Sequence, residues 1–477
     1  MARRTKIVAT IGPASNDPDS LVRLVRAGVD VVRLNLSHGT ADDHLVALGR
    51  VRDAAATVGK PVGVLADLPG PKIRAGGFPQ GGVELVAGAN IRLRPGDGPS
   101  DADTIHVDYE TLLDDIDIDD RVVVGDGAIN LRITSIGDDS AEAVVDTGAR
   151  TQGSPGVHLP SERMRLTTPT DDDLVLAEQM AAAGVDFVAV SFVRHATDVE
   201  QVRAVVGDRA KLVAKIETGA AIEELDDIMD ASDAVMVARG DLGIDRPLED
   251  VPHLQKAIIR RCVEHGTPVI TATQMLESMV SAPSPTRAEV TDVANAIFDG
   301  TDALMLSGET AIGHDPVATV RTMASIAERA EEEAHYRQWA ERLGRVQRQR
   351  WNSANDEVTA ALTHAASEAA IDLGVTAILC CTATGRTATA MARFRPEAEL
   401  YAVSPSPQTA NQLALSWGVS TLSAGNYDTT DEIVWYAVER AVADGLIAHG
   451  DTIVVLAGSP HKSDDTAADV MRLVRVS

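Results

Sequence analysis

Between Lys6 and Leu68, short apolar runs alternate with amphipathic segments. KIVATI, VDVVRLNL and PVGVLADL read as strands. DPDSLVRLVRAG and ADDHLVALGRVRDAAATVG carry apolar residues at helical spacing and read as helices. Gly28 and Gly59 stand where these helices must stop, as C-terminal glycines do. Strands joined by helices over short connections predict a parallel sheet.

The pattern changes after Pro69. From Gly70 to about Thr167 the chain offers short alternating runs, among them GVELVAG, NIRLRP, DRVVVGDGAINLRITSI and AEAVVDTG, with turn residues between them and no long helix. This predicts an inserted all-β domain. The strand and helix rhythm returns at TPTDDDLVLAEQMAAAGVDFVAVSFV and continues to LMLSGETA. Counting strands on both sides of the insertion gives about eight, the number that closes a barrel. The helix beginning PVATVRTMASIAERAEEE leads out of it. EVTAALTHAASEAAIDLG, TAILCCT, ELYAVSP, VSTLSAG and TIVVLAG then predict a separate open α/β domain. The expected boundaries are barrel 1–69 and 168–345, lid 70–167 and C-terminal domain 346–477.

One stretch organises the chemistry. Val213 to Asp245 reads as strand, helix, strand, with Lys215 and Glu217 closing the first strand and Arg239, Gly240 and Asp241 closing the second. In (β/α)₈ architectures the carboxyl ends of strands carry the active site. Alternation puts Lys215 and Glu217 on one face. Two converging carboxylates, Glu217 and Asp241, suit Mg²⁺ or Mn²⁺ with room for water and phosphate. A lysine beside them suits a transferring phosphoryl group. Surface carboxylates and a structural salt bridge are the competing readings.

Other strand ends add to this picture. VVRLNLSHGT brings Arg33, Asn35, Ser37 and His38, although a helix cap by Ser37 or Thr40 explains part of that cluster. ADLPGPKIR brings Asp67, Lys72 and Arg74; ITATQML brings Thr273; LMLSGET brings Ser307 and Glu309. No GxxxxGK[ST] loop and no dinucleotide fingerprint is present.

Composition narrows the class. Lys and Arg number 43 against 71 Asp and Glu, a net charge of -28, which argues against nucleic-acid partners. No stretch is long and apolar enough to span a membrane, and the N-terminus lacks a signal-peptide pattern. Three cysteines, Cys262, Cys380 and Cys381, are too few for a disulfide scaffold and fit a reducing cytoplasm.

Taken in order, KIVATIGPAS, VVRLNLSHGT, ADLPGPKIR, GDGAI, VAKIETGAAI, VMVARGDLGID, TATQMLESM, PTRAEVTDVANAIFDGTDALMLSGETA and ATGRTATAMARFRP resemble the pyruvate kinase family over nearly the whole chain. The resemblance implies a (β/α)₈ TIM barrel, a small β-barrel lid inserted after the third strand and a C-terminal open α/β domain. It implies phosphoryl transfer from phosphoenolpyruvate to ADP, giving pyruvate and ATP. By motif match, Lys215 stabilises the phosphoryl in flight and Glu217 and Asp241 hold the divalent ion. Amides at Gly240 and Asp241, with the Thr273 hydroxyl, hold the substrate carboxylate. Thr273, or water near Ser307 and Glu309, protonates the enolate. Arg33 contacts phosphate, Ser191 lines the mouth, and Asn35, His38, Arg74 and Asp126 face the nucleotide. Thr382, Thr384, Gly385, Arg386 and Thr387 match a loop for a phosphorylated allosteric effector, with a plain strand-to-helix turn as the competing reading. The family is usually homotetrameric.

Two departures from the family pattern stand out. Many members hold K⁺ with the residues matching Asn35, Ser37, Asp67 and the Leu68 carbonyl, and carry glutamate where Lys72 stands; the resemblance to K⁺-independent members predicts that the ammonium supplies that charge here and that activity needs no K⁺. In the lid, Pro155 stands where a lysine is common and His158 where an asparagine is. Two rivals remain: a divalent-metal lyase or aldolase for pyruvate-like acids, and a non-catalytic regulator that binds phosphometabolites.

Overall fold

The computed structural model describes residues 3–125, 127–160, 167–334, 354–425, 427–458 and 468–477. Strands β1 (Lys6–Thr10), β2 (Val31–Asn35) and β3 (Gly63–Asp67) are separated by helices Pro18–Ala27 and Ala41–Val58. Both helices are punctuated by their own sequence. Asp17 caps the first through the Ser20 amide, and Gly28 ends it. Thr40, not Ser37, caps the second in a reciprocal pair with Asp43, and Gly59 ends it in the left-handed region at φ 73°.

The insertion follows β3 as expected. It contains β4 (Phe78–Glu84), β5 (Asn90–Pro95), β6 (Thr104–Val107), β7 (Arg121–Val124), β8 (Ile129–Ile136), β9 (Ala141–Thr147), β10 (Arg150–Gly153) and β11 (Val157–His158). Six of these strands form one sheet in the order β11-β7-β8-β9-β5-β6, and β10 pairs with β4 in a ribbon. The sheet's edges are stitched by the segment entering the lid. Single bridges join Arg74 to Gly156 beside β11 and Ala75 to Val107 on β6. The lid is thus a small β-barrel closed by one short stitch, around a separate core that includes Leu93, Ile105, Val122 and Leu131.

The chain returns as β12 (Phe187–Val190), β13 (Lys211–Ile216), β14 (Ala234–Ala238), β15 (Val269–Ala272) and β16 (Ala303–Leu306). These five strands and β1, β2 and β3 close into a parallel barrel in the order β1-β16-β15-β14-β13-β12-β3-β2. Val8, Leu65, Phe187, Val213, Met236 and Met305 fill its interior, while a larger apolar shell packs the helices around it. Layered side chains make such an interior a core rather than a pore.

Beyond helix Ala354–Leu373, strands β17 (Ala377–Cys381), β18 (Glu399–Ser404), β19 (Val419–Ser423) and β20 (Thr452–Ala457) are parallel, and β21 (Val470–Arg475) adds an antiparallel edge. This domain plugs the barrel floor: Ala414 and Leu415 belong to the barrel's interior cluster. The buried Lys6 Nζ donates to the Val419 carbonyl at 2.8 Å, and Arg395 pairs with Asp302 at 2.9 Å. Among the described residues no helix is long and apolar enough to cross a membrane.

The structure refines two expectations. The helix foreseen between β13 and β14 is two short helices, Gly219–Glu223 and Leu225–Ala231, parted at Glu224 with ψ 22°. The polar end of β14 winds at once into a helix, Arg239–Asp245. The exit helix spans Pro316–Glu333, and its expected continuation falls mostly outside the described residues.

Candidate active site

A cavity of about 670 Å³ opens between the carboxyl ends of the barrel strands and the lid. Arg33, Asn35, Ser37 and His38 line it from β2 and beyond, and Asp67, Leu68, Lys72 and Arg74 from β3 and beyond. Ser191 follows β12, Lys215 lies on β13 with Glu217 just past its end, and Asp241 follows β14. Residues far apart in sequence meet here because each ends a neighbouring strand. Gly240, Thr273, Ser307 and Glu309 stand outside this lining, and Asp126 lies outside the described residues.

Lys215 is the centre of the charge network. Its Nζ lies 2.6 Å from Ser191 Oγ, 2.9 Å from Glu217 Oε1 and 3.3 Å from Asp67 Oδ1. Burial opposes the ammonium charge, but Asp67, Glu217 and Asp241 outweigh it and hold the lysine pKa above its ordinary value. Asp67 is fully buried, and Arg33 Nε donates to its Oδ2 at 2.6 Å. Burial would raise its pKa, yet Lys215 and Arg33 hold it below the usual carboxylate range. Arg33 also donates to Thr10 Oγ1 at 3.1 Å, which fixes its fork at the mouth.

Glu217 differs from Asp67. Burial, helped by the Asp241 charge and opposed by Lys215, pushes its pKa up to about 7. Its Oε2 accepts from the Phe192 amide at 2.6 Å. Its Oε1 is buried and, apart from facing Lys215, accepts no aligned hydrogen bond. A buried carboxylate oxygen with spare lone pairs, next to a second carboxylate at the cavity wall, fits a hard divalent cation. Among the described residues no three His, Cys, Asp or Glu side chains cluster as a complete ligand set. An ion held by Glu217 and Asp241 would therefore fill its shell with substrate oxygens and water, the habit of Mg²⁺.

Behind the wall, Gly240 N donates to Thr273 Oγ1 at 2.8 Å, and that hydroxyl donates to the Ala272 carbonyl at 2.7 Å. Thr273 holds φ at 70°, costly for a β-branched residue, and Arg239 fastens the turn by donating to the Thr273 carbonyl at 2.6 Å. Glu309 is fully buried. Its Oε1 accepts from Leu276 N at 3.1 Å and its Oε2 from Ser307 N at 2.6 Å. It therefore ties the ends of β15 and β16 together. Ser307 Oγ is buried and has no hydrogen-bond partner among the described residues.

On the lid side, Pro155 and His158 line the cavity opposite the barrel. Lys72 is exposed, yet partial desolvation, Arg74 and Lys215 lower its pKa. Arg74 donates to the Ser154 carbonyl at 3.1 Å. The acidic run Asp171–Asp173 opens helix Asp171–Ala183, where Asp173 pairs with the Thr170 cap and accepts from Gly70 N.

In the C-terminal domain, the Thr382 hydroxyl accepts from Gly385 N at 2.9 Å, and Gly385 takes φ 86° just before Arg386. Thr384, Gly385 and Arg386 border a second cavity, of about 750 Å³, against the barrel floor. Thr387 is buried in the helix that follows, and neither it nor Thr382 lines that cavity.

Sequence reasoning missed Thr10, Phe192, Asp245 and Arg246. An apolar Phe192 gives no signal for an amide that binds Glu217. Asp245 and Arg246 look like ordinary helix-end charges until the fold brings them to Gly219. The sign that was available is Gly219 itself, a glycine two residues beyond a carboxylate at a strand end.

The family model for the pyruvate kinase barrel domain matches residues 2–320, and that for the pyruvate kinase alpha/beta domain matches residues 360–474. The chain belongs to the pyruvate kinase family. It is 40% identical to a pyruvate kinase of Geobacillus stearothermophilus over 466 residues, covering 96% of this chain and 78% of that protein. A pyruvate kinase of Bacillus licheniformis is 39% identical over 470 residues, covering 97% and 79%. One of Agrobacterium vitis is 41% identical over 466 residues, covering 96% and 95%. The resemblance carried by the motifs thus holds over both globular parts of the chain.

Proposed function

We infer that this chain transfers the phosphoryl group of phosphoenolpyruvate to ADP, giving pyruvate and ATP, the closing step of glycolysis. Membership of the pyruvate kinase family supports the reaction. The observation that carries the reading is Lys215, a buried ammonium kept charged between Asp67 and Glu217 at the barrel mouth. Such a fixed charge stabilises a phosphoryl group whose negative charge spreads as its bond loosens.

Glu217 and Asp241 would hold Mg²⁺ or Mn²⁺, whose positive charge would offset the phosphate charge. Arg33, oriented by Asp67 and Thr10, receives the phosphate. The amides of Gly240 and Asp241, with Thr273, take the substrate carboxylate, which requires the Gly240–Thr273 hydrogen bond to be exchanged for one to substrate. Thr273 supplies a proton to the enolate, or a water held by the Ser307 hydroxyl does so. Glu309 acts through backbone, keeping Ser307 and Leu276 in register. The nucleotide side comprises Asn35, His38, Arg74 and Asp126, with Ser191 lining the mouth.

Asp67 is neutralised by Arg33 and Lys215, and Lys72 senses both Asp67 and Asp241. This supports turnover without K⁺ at the pocket of Asn35, Ser37, Asp67 and Leu68. The Thr382–Thr387 turn binds the phosphate of an effector. We assign residues 1–69 and 168–345 to the barrel, 70–167 to the lid and 346–477 to the C-terminal domain. The protein works in the cytoplasm as a homotetramer, its free and buried cysteines suiting a reducing compartment.

Pyruvate release from phosphoenolpyruvate, followed with and without ADP in Mg²⁺ and no K⁺, tests the reading. Release that requires ADP is expected. ADP-independent release favours a lyase-like or hydrolytic site, and no release favours a regulator.

A further inference from the structure

The loops that carry the two proposed metal carboxylates are fastened to each other at one point. Gly219, two residues beyond Glu217, donates its amide to Asp245 Oδ2 at 2.7 Å. Asp245 closes the short helix that begins beside Asp241. Arg246 lies over Gly219, its Nε 3.7 Å from the same Asp245 oxygen. A Cβ at Gly219 would overlap the Nη2, Cζ and Nε atoms of that guanidinium. Gly219 is not in the left-handed region, so no backbone demand explains its lack of a side chain. Room for Arg246 does. The guanidinium thereby packs on Gly219, two residues beyond Glu217, while its side chain remains about two-thirds covered.

We propose that Gly219, Asp245 and Arg246 form a clamp that sets the spacing of Glu217 and Asp241, making Asp245 and Arg246 positioning residues for the divalent ion. The proposal rests on the assignment of that carboxylate pair to a metal. The physical reason is preorganisation. Two carboxylates repel each other, and the Glu217 oxygen that faces Lys215 accepts no other hydrogen bond. Glu217, 2.9 Å from the Lys215 ammonium, is also drawn toward it. The clamp joins the segments just beyond both carboxylates and resists that movement. Groups that orient metal ligands without touching the ion commonly govern affinity by roughly tenfold or more.

The test is Mn²⁺ binding to the substrate-free protein, read by the electron paramagnetic resonance of free Mn²⁺. Asp245→Asn, Arg246→Leu and Gly219→Ala are compared with wild type and with Glu217→Gln. Gly219→Ala displaces the guanidinium while keeping its charge and leaves a good helix former at the site, so it serves if a charge variant fails to fold. The clamp predicts Mn²⁺ dissociation constants weakened about tenfold in each clamp variant that keeps its thermal midpoint. Values within about twofold of wild type, accompanied by a raised KM for phosphoenolpyruvate or ADP, make Arg246 a substrate contact and overturn the clamp. If Glu217→Gln binds Mn²⁺ as wild type does, the metal pair itself fails and takes the clamp with it. If only the clamp variants bind normally, the clamp alone fails.

Discussion

Lys215 Nζ sits 2.9 Å from Glu217 Oε1, two residues onward along the same strand end, and the two groups are held in opposite electrostatic conditions. The lysine is kept charged by three carboxylates, whereas the glutamate's pKa is pushed up to about 7 by burial and by Asp241. A divalent ion at Glu217 needs the ionised carboxylate, so ion binding releases a proton when the solution is at or below that pH. Mn²⁺ titrations of wild type at falling pH should show affinity declining through about pH 7, with proton release visible as a buffer-dependent enthalpy. Affinity that stays level from pH 8 to about pH 5 contradicts this account.

Glu309 is predicted to matter for stability as much as for turnover. Glu309→Gln keeps one oxygen and turns an amide NH₂ toward a backbone N–H, either at Leu276 or at Ser307. One buried donor then lacks its acceptor, a cost of about 2 kcal/mol. The thermal midpoint should fall by several degrees, and turnover should fall with it because Ser307 shifts. An unchanged midpoint would show that Glu309 does not tie these strand ends.

At the barrel floor, burial lowers the Lys6 pKa from 10.5 to about 8, despite the Asp30 charge. Below about pH 8 the folded and unfolded chains both carry the proton. Between about pH 8 and 10.5 the unfolded chain keeps it while the folded chain loses it, so this group makes stability rise with pH. The thermal midpoint of wild type relative to Lys6→Met should therefore climb over that window. A flat difference contradicts the buried, charge-strained Lys6.

Lys72 offers a direct trial of the cation pocket. Wild type should turn over equally in K⁺ and in tetramethylammonium. Lys72→Glu removes the ammonium and adds a carboxylate beside Asp67, so activity without K⁺ should drop roughly tenfold or more and recover when K⁺ is added. Strong K⁺ activation of wild type sinks the idea.

The barrel, its lid and the final domain were legible because strand and helix periodicities differ and because the interruption after Pro69 replaces helices with turns. Lys215, Glu217, Asp67 and Arg33 were legible as polar residues ending apolar strands. Asp241 and Thr273 were legible in the same way, and the motif match gave all of them specific roles. Local pattern does not report contacts made across the barrel. Glu309 looked like a water-holding acid, yet both its oxygens serve backbone amides on two strand ends. Phe192 contributes only its amide. The break at Glu224 and the tight turn into Arg239–Asp245 leave no mark on the hydrophobic pattern of their segments. The lid's closure depends on Arg74 and Ala75, whose bridges reach opposite edges of one sheet.

The central claim is that Lys215 stabilises phosphoryl in flight while Glu217 and Asp241 hold the ion. Its most direct test is ADP-dependent pyruvate formation by Lys215→Met in saturating Mg²⁺, with Mn²⁺ binding measured on the same preparation. Turnover should fall by about 10³ or more with the Mn²⁺ dissociation constant kept or tightened, since only the transition-state charge partner is lost. Turnover within about tenfold of wild type, on protein that still binds Mn²⁺, would contradict it.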